Sequence, residues 1–430
     1  MILDTFTYPP GEVKWFDHRT IGMRSCRSLS FAVSIDDHRL DSLMKEFRLL
    51  VNKSIRVALT TGVRSRPRLA RVAYADFSRD HAVYKKYIRS AFEIALGVLK
   101  AHRRRVRKGN RSSIPYMRRL MLKADNQSYW LDRETGRLRI PIRGTEGLQL
   151  RLPLSEWHRS ILLDQAWSLG SLTVVPGKVI VVVRRETPKA YDPQAAFALD
   201  TNEDSLDGVM AAGDSASPVT LPFGGVRQVQ AIHFRRRRRL AKKKAHDRRV
   251  QRNLLGREGR RERNRVRQRL HRLSRWLVSA AKDRRAAIVL ENLTLHGAGG
   301  RSRRMNRRLS SWPRREIHRQ IEYKAALEGV PVLKIDPRYT SKTCPACGAR
   351  RRDRVGRVFR CDACGWTMDR QINAGLNILR TALASNEALA RAVRFQPGAL
   401  RDDVMSPLYD PLREGRGAQE EPSGVESGAT

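Results

Sequence analysis

Hydrophobic patterns divide the first half of the chain into short strands and helices. Residues 28–35 alternate between apolar and polar, which predicts a strand, and apolar residues spaced three and four apart from Leu43 to Ile55 predict a helix. Residues 73–125 follow a largely helical pattern. Further strands are predicted at 138–142, 148–152, 172–175 and 179–183. The first half is therefore expected to be a β-rich platform interrupted by helices.

The second half contains apolar strands that end in a carboxylate. Two prolines within residues 186–194 mark a boundary, and a new domain is expected to begin near Ala196. One strand pattern ends at Asp200, and residues 206–211 form the next strand. Similar apolar runs end at Glu291 and Asp336. In a basic protein, acids at such positions are candidates for chemistry.

Charge changes this picture most strongly between residues 235 and 275. The 430-residue chain has 86 Lys and Arg against 43 Asp and Glu, giving a net charge of +43, which indicates a polyanionic partner. Within 235–275, 20 of 41 residues are Lys or Arg. We predict a long basic helix or helical hairpin, broken near Gly256 and Gly259. It is either a solvated surface or, as we favour, a contact for nucleic-acid phosphates. The candidate contacts are Arg235, Arg236, Arg237, Arg238, Arg239, Lys242, Lys243, Lys244, Arg248 and Arg249.

The lengths of the apolar runs indicate where in the cell the protein is expected. The longest apolar runs, such as 179–183, are far shorter than the roughly 20 residues of a membrane helix, and no secretory signal is visible. We therefore expect a cytoplasmic, nucleoid-associated protein with no membrane partner. Cys26 is interpreted as a small core residue, and residues 407–430 are expected to be disordered because they are rich in Gly, Pro, Glu and Ser.

Four cysteines form two pairs with metal-ligand spacing. Cys344 and Cys347 make one CxxC pair, Cys361 and Cys364 make the other, and 13 residues separate the pairs. Two such pairs can complete a tetrahedral Zn²⁺ site, and with all four positions filled the site would be structural. Two disulfides or buried thiols are the alternative, which an intracellular location disfavours.

The strand-end acids suggest a second kind of metal site. Carboxylates that converge from neighbouring strands can bind Mg²⁺, and Mg²⁺ can stabilise the attacking and leaving oxygens of a phosphodiester. Asp200, Glu291 and Asp336 are the candidates. Taken singly, each acid is more often a turn residue or a helix cap.

The ordered motifs resemble the TnpB family of transposon-encoded, RNA-guided DNA endonucleases, which are related to compact type V CRISPR effectors. The resemblance is dense from about 197 to 379 and weak before it. It rests on the segments Leu199–Asn202, Val289–Leu293, Asp336–Gly348, Cys361–Gly365 and Asp369–Ile378.

This resemblance implies an α/β RNase H-like (RuvC-like) nuclease domain with an inserted zinc ribbon, preceded by a β-rich wedge domain interrupted by a helical recognition module. It implies Asp200 and Glu291 as catalytic metal ligands, and guide RNA and target DNA as partners. The predicted layout is 1–35 as the N-terminal strand of the wedge domain, 36–135 as the recognition module, 136–193 as the wedge domain, 194–340 as the nuclease domain with basic helices at 235–285, 341–367 as the zinc ribbon, 368–385 as the last-motif helix and 386–430 as a short helix and disordered tail.

One departure from the family pattern concerns the third acid. The last motif usually reads Asp-Arg-Asp, but here the second aspartate is replaced by Gln371, a neutral residue that offers only one weak carbonyl ligand. Asp369 is the candidate third catalytic acid, with helix N-cap as its other interpretation. Asp336 is an alternative third acid.

Two functions follow. The first is an active endonuclease that pairs its guide with target DNA and cuts both strands at one Mg²⁺-dependent centre. The second is a nuclease-inactive RNA-guided DNA-binding protein, a repressor or targeting subunit, which Gln371 would explain directly. A nonspecific basic zinc-ribbon protein would not explain the ordered acids.

Overall fold

The computed structural model folds into two units. One unit comprises residues 22–186, and the other comprises residues from 187 onward together with the N-terminal residues 1–21. The structure describes residues 14–15, 24–34, 37–110, 113–243, 246–292, 302–350 and 356–395. The predicted disordered segment 407–430 therefore lies outside the described residues.

The described residues contain both helices and strands. The helices are α1 His38–Thr60, α2 Arg66–Asp80, α3 Lys86–Arg107, α4 Glu156–Leu162, α5 Val226–Lys243, α6 Leu255–Asp283, α7 Arg303–Ser311, α8 Arg314–Glu328, α9 Arg370–Ser385 and α10 Glu387–Ala392. The strands are β1 Lys14–Trp15, β2 Arg24–Ala32, β3 Leu122–Ala124, β4 Trp130–Leu131, β5 Arg137–Arg143, β6 Glu146–Arg151, β7 Ser168–Val175, β8 Lys178–Glu186, β9 Ala195–Thr201, β10 Ser205–Ala212, β11 Ser215–Pro222, β12 Ala286–Glu291, β13 Val332–Ile335, β14 Val358–Arg360 and β15 Thr367–Asp369. None of these helices is both long and apolar enough to cross a bilayer.

The unit at 22–186 combines two antiparallel sheets with helices α1 to α4. One sheet has the order β2-β8-β7-β3, and a smaller one has the order β4-β5-β6. Helix α1 begins where Asp37 accepts a hydrogen bond from the backbone N–H of Arg39, which satisfies a donor that the first helical turn leaves unpaired. The apolar face of α1, including Phe47 and Leu50, is buried. The predicted strands at 138–142, 148–152, 172–175 and 179–183 are present.

Two features of this unit differ from expectation. Strands β3 and β4 lie within 36–135, which the sequence predicted to be helical. They were missed because two or three residues are too few to display an alternating pattern. Cys26 is exposed rather than part of the core. It lies on the even-numbered face of β2, whereas Leu29 and Phe31 fill the buried face.

The second unit is built on a six-stranded mixed sheet. Its strand order is β1-β13-β12-β9-β10-β11. Strands β9, β10 and β11 form an antiparallel meander, whereas β12 pairs in parallel with both β9 and β13. Strand β1 pairs with β13 and forms one edge of the sheet. It therefore belongs to this sheet, although the predicted first domain, 1–35, assigned it to the wedge.

The two faces of this sheet bury different helices. Alternate residues such as Phe197, Leu199 and Ile288 pack with residues of α5, α6 and α8. The intervening residues, including Ala198 and Val289, pack with α9. Because both faces are covered, the central strands read as nearly continuous apolar runs. A charged side chain on such a strand is therefore a candidate functional residue.

Strand β11 was not predicted. Its sequence is polar and contains Pro218, which cannot donate a backbone hydrogen bond. The strand lies at the edge of the sheet and, among the described strands, pairs with β10 alone, so a proline is tolerated there.

The basic segment forms a helical hairpin, but its break is not where the sequence indicated. Helix α6 runs without interruption through Gly256 and Gly259, and a π-helical segment, Val250–Leu254, precedes it. The two arms are joined by a buried hydrogen bond of 2.8 Å between His233 Nδ1 and Glu258 Oε1. The prediction failed because a glycine costs a helix only about 1 kcal/mol, which contacts between the arms can offset.

Helix α9 approaches the sheet closely through two glycines. A Cβ atom added at Gly375 would lie 2.4 Å from Cα of Gly208 on β10, and one added at Gly208 would lie 2.0 Å from the carbonyl oxygen of Ala198. Only residues without a side chain permit this backbone contact. The approach fixes the distance between α9 and strands β9 and β10, and thereby places the first turn of α9.

Candidate functional site

The four predicted cysteines converge at the ribbon formed by β14 and β15. The Sγ atoms of Cys344 and Cys364 are 3.6 Å apart, those of Cys347 and Cys361 are 3.5 Å apart, and all four lie within 4.8 Å of one another. Tetrahedral Zn²⁺ with Zn–S bonds of about 2.3 Å separates its sulfur ligands by about 3.8 Å. The geometry and the soft thiol ligands therefore fit one zinc ion.

Each cysteine pair is closed by a turn that ends in glycine. The N–H groups of Gly348 and Gly365 donate to the carbonyl oxygens of Cys344 and Cys361, at 2.9 and 3.0 Å. The glycine φ angles are +77° and +75°. A Cβ at Gly365 would meet no atom within 4 Å, so glycine is required for its left-handed backbone.

Three carboxylates lie on the face of the large sheet that α9 covers. By strand alternation, Asp200 on β9, Asp207 on β10 and Glu291 on β12 share the face of the α9-packed residues. Asp207 is directly opposite Asp200 in the β9–β10 register. Glu291 is 4% exposed and Asp207 2% exposed. The sheet therefore gathers acids at a buried position.

The side chains of Asp200 and Glu291 are close enough for a hydrogen bond between them to influence the pKa of Asp200. Burial raises the pKa of Asp200, and the nearby charge of Asp207 acts in the same direction. The hydrogen bond to Glu291 and the positive charge of Arg370 oppose this rise. Two carboxylates held together at the ends of parallel strands form a hard oxygen donor pair, which fits Mg²⁺ in kind.

Asp207 is the acid that the sequence analysis missed. Its Oδ2 accepts hydrogen bonds from Asn202 Nδ2, at 2.7 Å, and from Ser205 Oγ, at 2.5 Å. These bonds brace the turn that follows Asp200. Burial raises the pKa of Asp207 despite them. The available signal was a charged residue in the middle of strand β10, among residues that are otherwise buried.

The last motif begins helix α9. Asp369 is its N-cap, and its Oδ1 accepts a 2.8 Å hydrogen bond from the backbone N–H of Gln371. Its Oδ2 accepts a 2.8 Å bond from Arg357 Nε. The predicted N-cap role of Asp369 is thus present, and both of its carboxylate oxygens are engaged by protein groups.

Asp336 follows β13, next to the end of β12. Its Oδ1 accepts a 3.0 Å bond from the backbone N–H of Arg338, which forms a tight turn. Leu333 and Ile335 pack on the α9 side, and Asp336 lies just beyond the end of this strand. Among the described residues, the cysteine quartet is the only group of three or more metal-ligating side chains close enough to share an ion.

The basic hairpin presents most of its predicted contacts to solvent. Arg237 forms an ion pair with Glu262, and Arg236 lies 3.8 Å from Glu258. The exposed residues are Arg235, Arg236, Arg238, Arg239, Lys242, Arg248 and Arg249. In the described part of the chain, no acid lies within ion-pair distance of Arg235, Arg238 or Arg239. Lys243 ends α5, and Lys244 lies outside the described residues.

Comparison with known proteins agrees with these features. Residues 315–378, which include the ribbon and the start of α9, match the family model of the Cas12f1-like TNB domain. TnpB-like protein MJ0751 of Methanocaldococcus jannaschii is 22% identical over 255 residues, which cover 57% of this chain and 91% of that protein. TnpB-like protein MJ0012 of the same organism is 33% identical over 147 residues, covering 34% of this chain and 67% of that protein.

Solved structures share the fold at low sequence identity. A Cas12f1–sgRNA–target DNA complex aligns with a TM-score of 0.52 at 15% identity, covering 79% of this chain and 81% of that chain. CasPhi-2 (Cas12j) bound to crRNA aligns with a TM-score of 0.56 at 10% identity, covering 86% and 98%. The fold is therefore that of the Cas12-type effectors, which supports the RuvC-like part of the prediction.

The sheet, the cysteine ribbon and these structures define a protein with the fold of the Cas12-type effectors. Among proteins with this fold, the chain belongs to the TnpB family. The family prediction made from the ordered motifs is confirmed.

Proposed function

We propose that this protein is an RNA-guided DNA endonuclease whose centre is built on Asp200 and Glu291. The observation that carries the proposal is the position of these two carboxylates next to each other on paired parallel strands, on the face of the sheet that α9 covers, in a chain of the TnpB family. Both stand at or next to the ends of parallel strands β9 and β12. Placing two acids side by side in a largely buried position costs folding free energy, and such pairs are typical of functional sites.

Asp200 and Glu291 would hold Mg²⁺, which when bound activates water and stabilises the leaving oxygen of a phosphodiester. Asp369 is retained as the candidate third catalytic acid, and Asp336 as its alternative. Either would first have to leave its present hydrogen bonds. Asp207 braces the turn after Asp200, and Arg370 partly balances the negative charge of the pair.

The exposed arginines of the basic hairpin would hold a guide RNA–target DNA duplex through its phosphates, while base pairing selects the sequence. The cysteine quartet would bind one structural Zn²⁺. We assign residues 194–340 and 368–385 to the RuvC-like, RNase H-like domain, 341–367 to the zinc ribbon, 36–135 to recognition and 136–193 to the wedge. The protein would act at DNA in the cytoplasm.

A second function is favoured by one specific observation. Gln371 occupies the position where the family pattern has an acid, and the described residues contain no group of three carboxylates close enough to share an ion. A centre with two acids should bind Mg²⁺ weakly. The alternative is therefore a nuclease-inactive, RNA-guided DNA-binding protein that acts as a repressor or targeting subunit.

A plasmid-cleavage assay with the co-purified guide RNA distinguishes the two functions. At millimolar Mg²⁺, the endonuclease should cut a matched target, and Asp200→Ala or Glu291→Ala should abolish cutting while guided binding persists. Binding should survive because it rests on phosphate contacts and base pairing elsewhere. A mismatched guide is the control for nonspecific nicking.

The third acid is identified by the same assay. Loss of cutting in Asp369→Ala or Asp336→Ala, with Gln371→Ala unchanged, would name the residue that completes the centre. If the natural protein binds its target without cutting it, and Gln371→Asp cuts, the endonuclease proposal is wrong and the binding protein is correct.

A further inference from the structure

Glu291 has a second partner, which comes from the segment leading into the zinc ribbon. The hydroxyl of Thr340 donates a 2.5 Å hydrogen bond to Oε1 of Glu291 across 49 positions of sequence. Thr340 is 7% exposed, so water does not readily compete for this bond. The same hydroxyl lies 3.2 Å from the carbonyl oxygen of Pro337, a weaker alternative for its single proton.

Thr340 is itself held in place by helix α9. Asn377 Nδ2 donates to the carbonyl oxygens of Thr340, at 2.8 Å, and of Thr343, at 2.7 Å. Asn373 Nδ2 adds a 3.0 Å bond to the carbonyl oxygen of Thr343. Asn373 and Asn377 are both buried. The turn before the first cysteine pair is therefore clamped from the side chains of a helix that packs on the nuclease sheet.

The backbone of this turn is strained. Tyr339 has a φ of +64°, a left-handed conformation that costs a residue with a side chain about 1 kcal/mol or more. Its carbonyl oxygen accepts bonds from the N–H groups of Lys342, at 2.9 Å, and Thr343, at 3.0 Å. This left-handed conformation turns the chain sharply, so that Thr340 reaches Glu291 and Cys344 enters the ribbon.

We propose that Thr340 is a positioning residue for Glu291, which makes the entry to the zinc ribbon part of the candidate nuclease centre. The hydrogen bond fixes the rotamer of Glu291 and selects which carboxylate oxygen remains available to a metal ion. Groups that orient a metal ligand in this way commonly change metal affinity or activity by about 10- to 100-fold when removed. The inference rests on the proposed function, because it assigns a role relative to that centre.

The test compares Thr340→Val, which keeps the shape and removes the hydroxyl, with Thr340→Ser, which keeps the hydroxyl. Thr343→Val is a matched control because it makes the same change in the same turn, where the Thr343 hydroxyl contacts only the carbonyl oxygen of Tyr339 among the described residues. Zinc content and thermal unfolding establish that each variant is folded. The readouts are the Mg²⁺ concentration for half-maximal cleavage and Mn²⁺ binding by the RNA-free protein, measured by electron paramagnetic resonance.

Thr340→Val should need about tenfold more Mg²⁺ and bind Mn²⁺ about tenfold more weakly, whereas Thr340→Ser and Thr343→Val should stay within about twofold of the natural protein. The variant Glu291→Gln measures how much Mn²⁺ binds at sites other than this centre. If Thr340→Val and Thr343→Val depend equally on metal concentration, the inference is wrong but the proposed function stands. A different result overturns the proposed function and the inference together. In that result, neither the natural protein nor Gln371→Asp cleaves DNA, and the natural protein binds Mn²⁺ no more strongly than Glu291→Gln does.

Discussion

The close contact between α9 and the sheet makes an unusual prediction about a helical glycine. Replacing glycine by alanine inside a helix normally stabilises a protein by about 1 kcal/mol. At Gly375 the new Cβ would lie 2.4 Å from Cα of Gly208, whereas ordinary contacts begin near 3.4 Å. Helix α9 would have to move away from β10 by about 1 Å. The obstacle is backbone, so no side-chain rotation relieves it.

Overpacking of this kind costs typically about 1–3 kcal/mol, and a backbone obstacle belongs at the upper end. After subtracting the helical gain of about 1 kcal/mol, Gly375→Ala should destabilise the unit by about 2 kcal/mol. For a domain of this size that lowers the Tm by about 4–8 °C. The displacement would also move Gln371 and the cap at Asp369 relative to Asp200.

Gly256→Ala is the matched control in the same unit. Its Cβ would meet nothing closer than 3.7 Å, and that atom is the mobile end of Arg260. This variant should raise the Tm by about 2–4 °C. Differential scanning calorimetry of both variants decides the matter. If Gly375→Ala raises the Tm as Gly256→Ala does, the close approach of α9 and β10 is not as described.

Three further results are expected. Cys344→Ser should reduce zinc to well under one ion per chain and lower the stability of the ribbon and the elements beside it, because the site is structural; full zinc content by metal analysis would contradict this. Alanine at Arg235, Arg238 and Arg239 together should reduce the slope of log affinity against log salt by about 0.9 for each duplex phosphate that is no longer neutralised, and an unchanged slope would mean that this surface is merely solvated. Burial, together with nearby positive charges, lowers the pKa of His318 to about 3. Between pH 6.5 and 3, His318 is therefore protonated in the unfolded chain but neutral in the native protein. The free energy of unfolding should therefore fall as the pH drops from 6.5 toward 3, by up to about 1.4 kcal/mol per pH unit, and urea titrations of His318→Gln should show a shallower fall.

Much of the second unit could be predicted because its signals are local. The cysteine pairs are defined by spacing, and strands β9 and β12 are apolar runs that end at or beside a carboxylate. The cap of α9 at Asp369 follows from its place before a helical pattern. Features of this kind can be predicted without knowing which elements pack against them.

The unpredicted parts depend on contacts between distant residues. Thr340 has no local feature that marks it as the partner of Glu291, since the bond spans 49 positions. The helical continuity at Gly256 depends on the opposing arm of the hairpin. Which face of the sheet Asp200, Asp207 and Glu291 occupy requires the register of β9, β10 and β12.

Helix α9 serves three neighbours at once, and this has a consequence for dynamics. Its cap continues the ribbon strand β15, its asparagines hold the turn at Thr340, and Gly375 lies against β10. A helix anchored on three sides cannot open locally without disrupting all of them, so its central amides should exchange with solvent only on global unfolding of the unit. Any rearrangement that accompanies nucleic-acid binding would then have to occur in the segments around this helix, with α9 as the fixed reference.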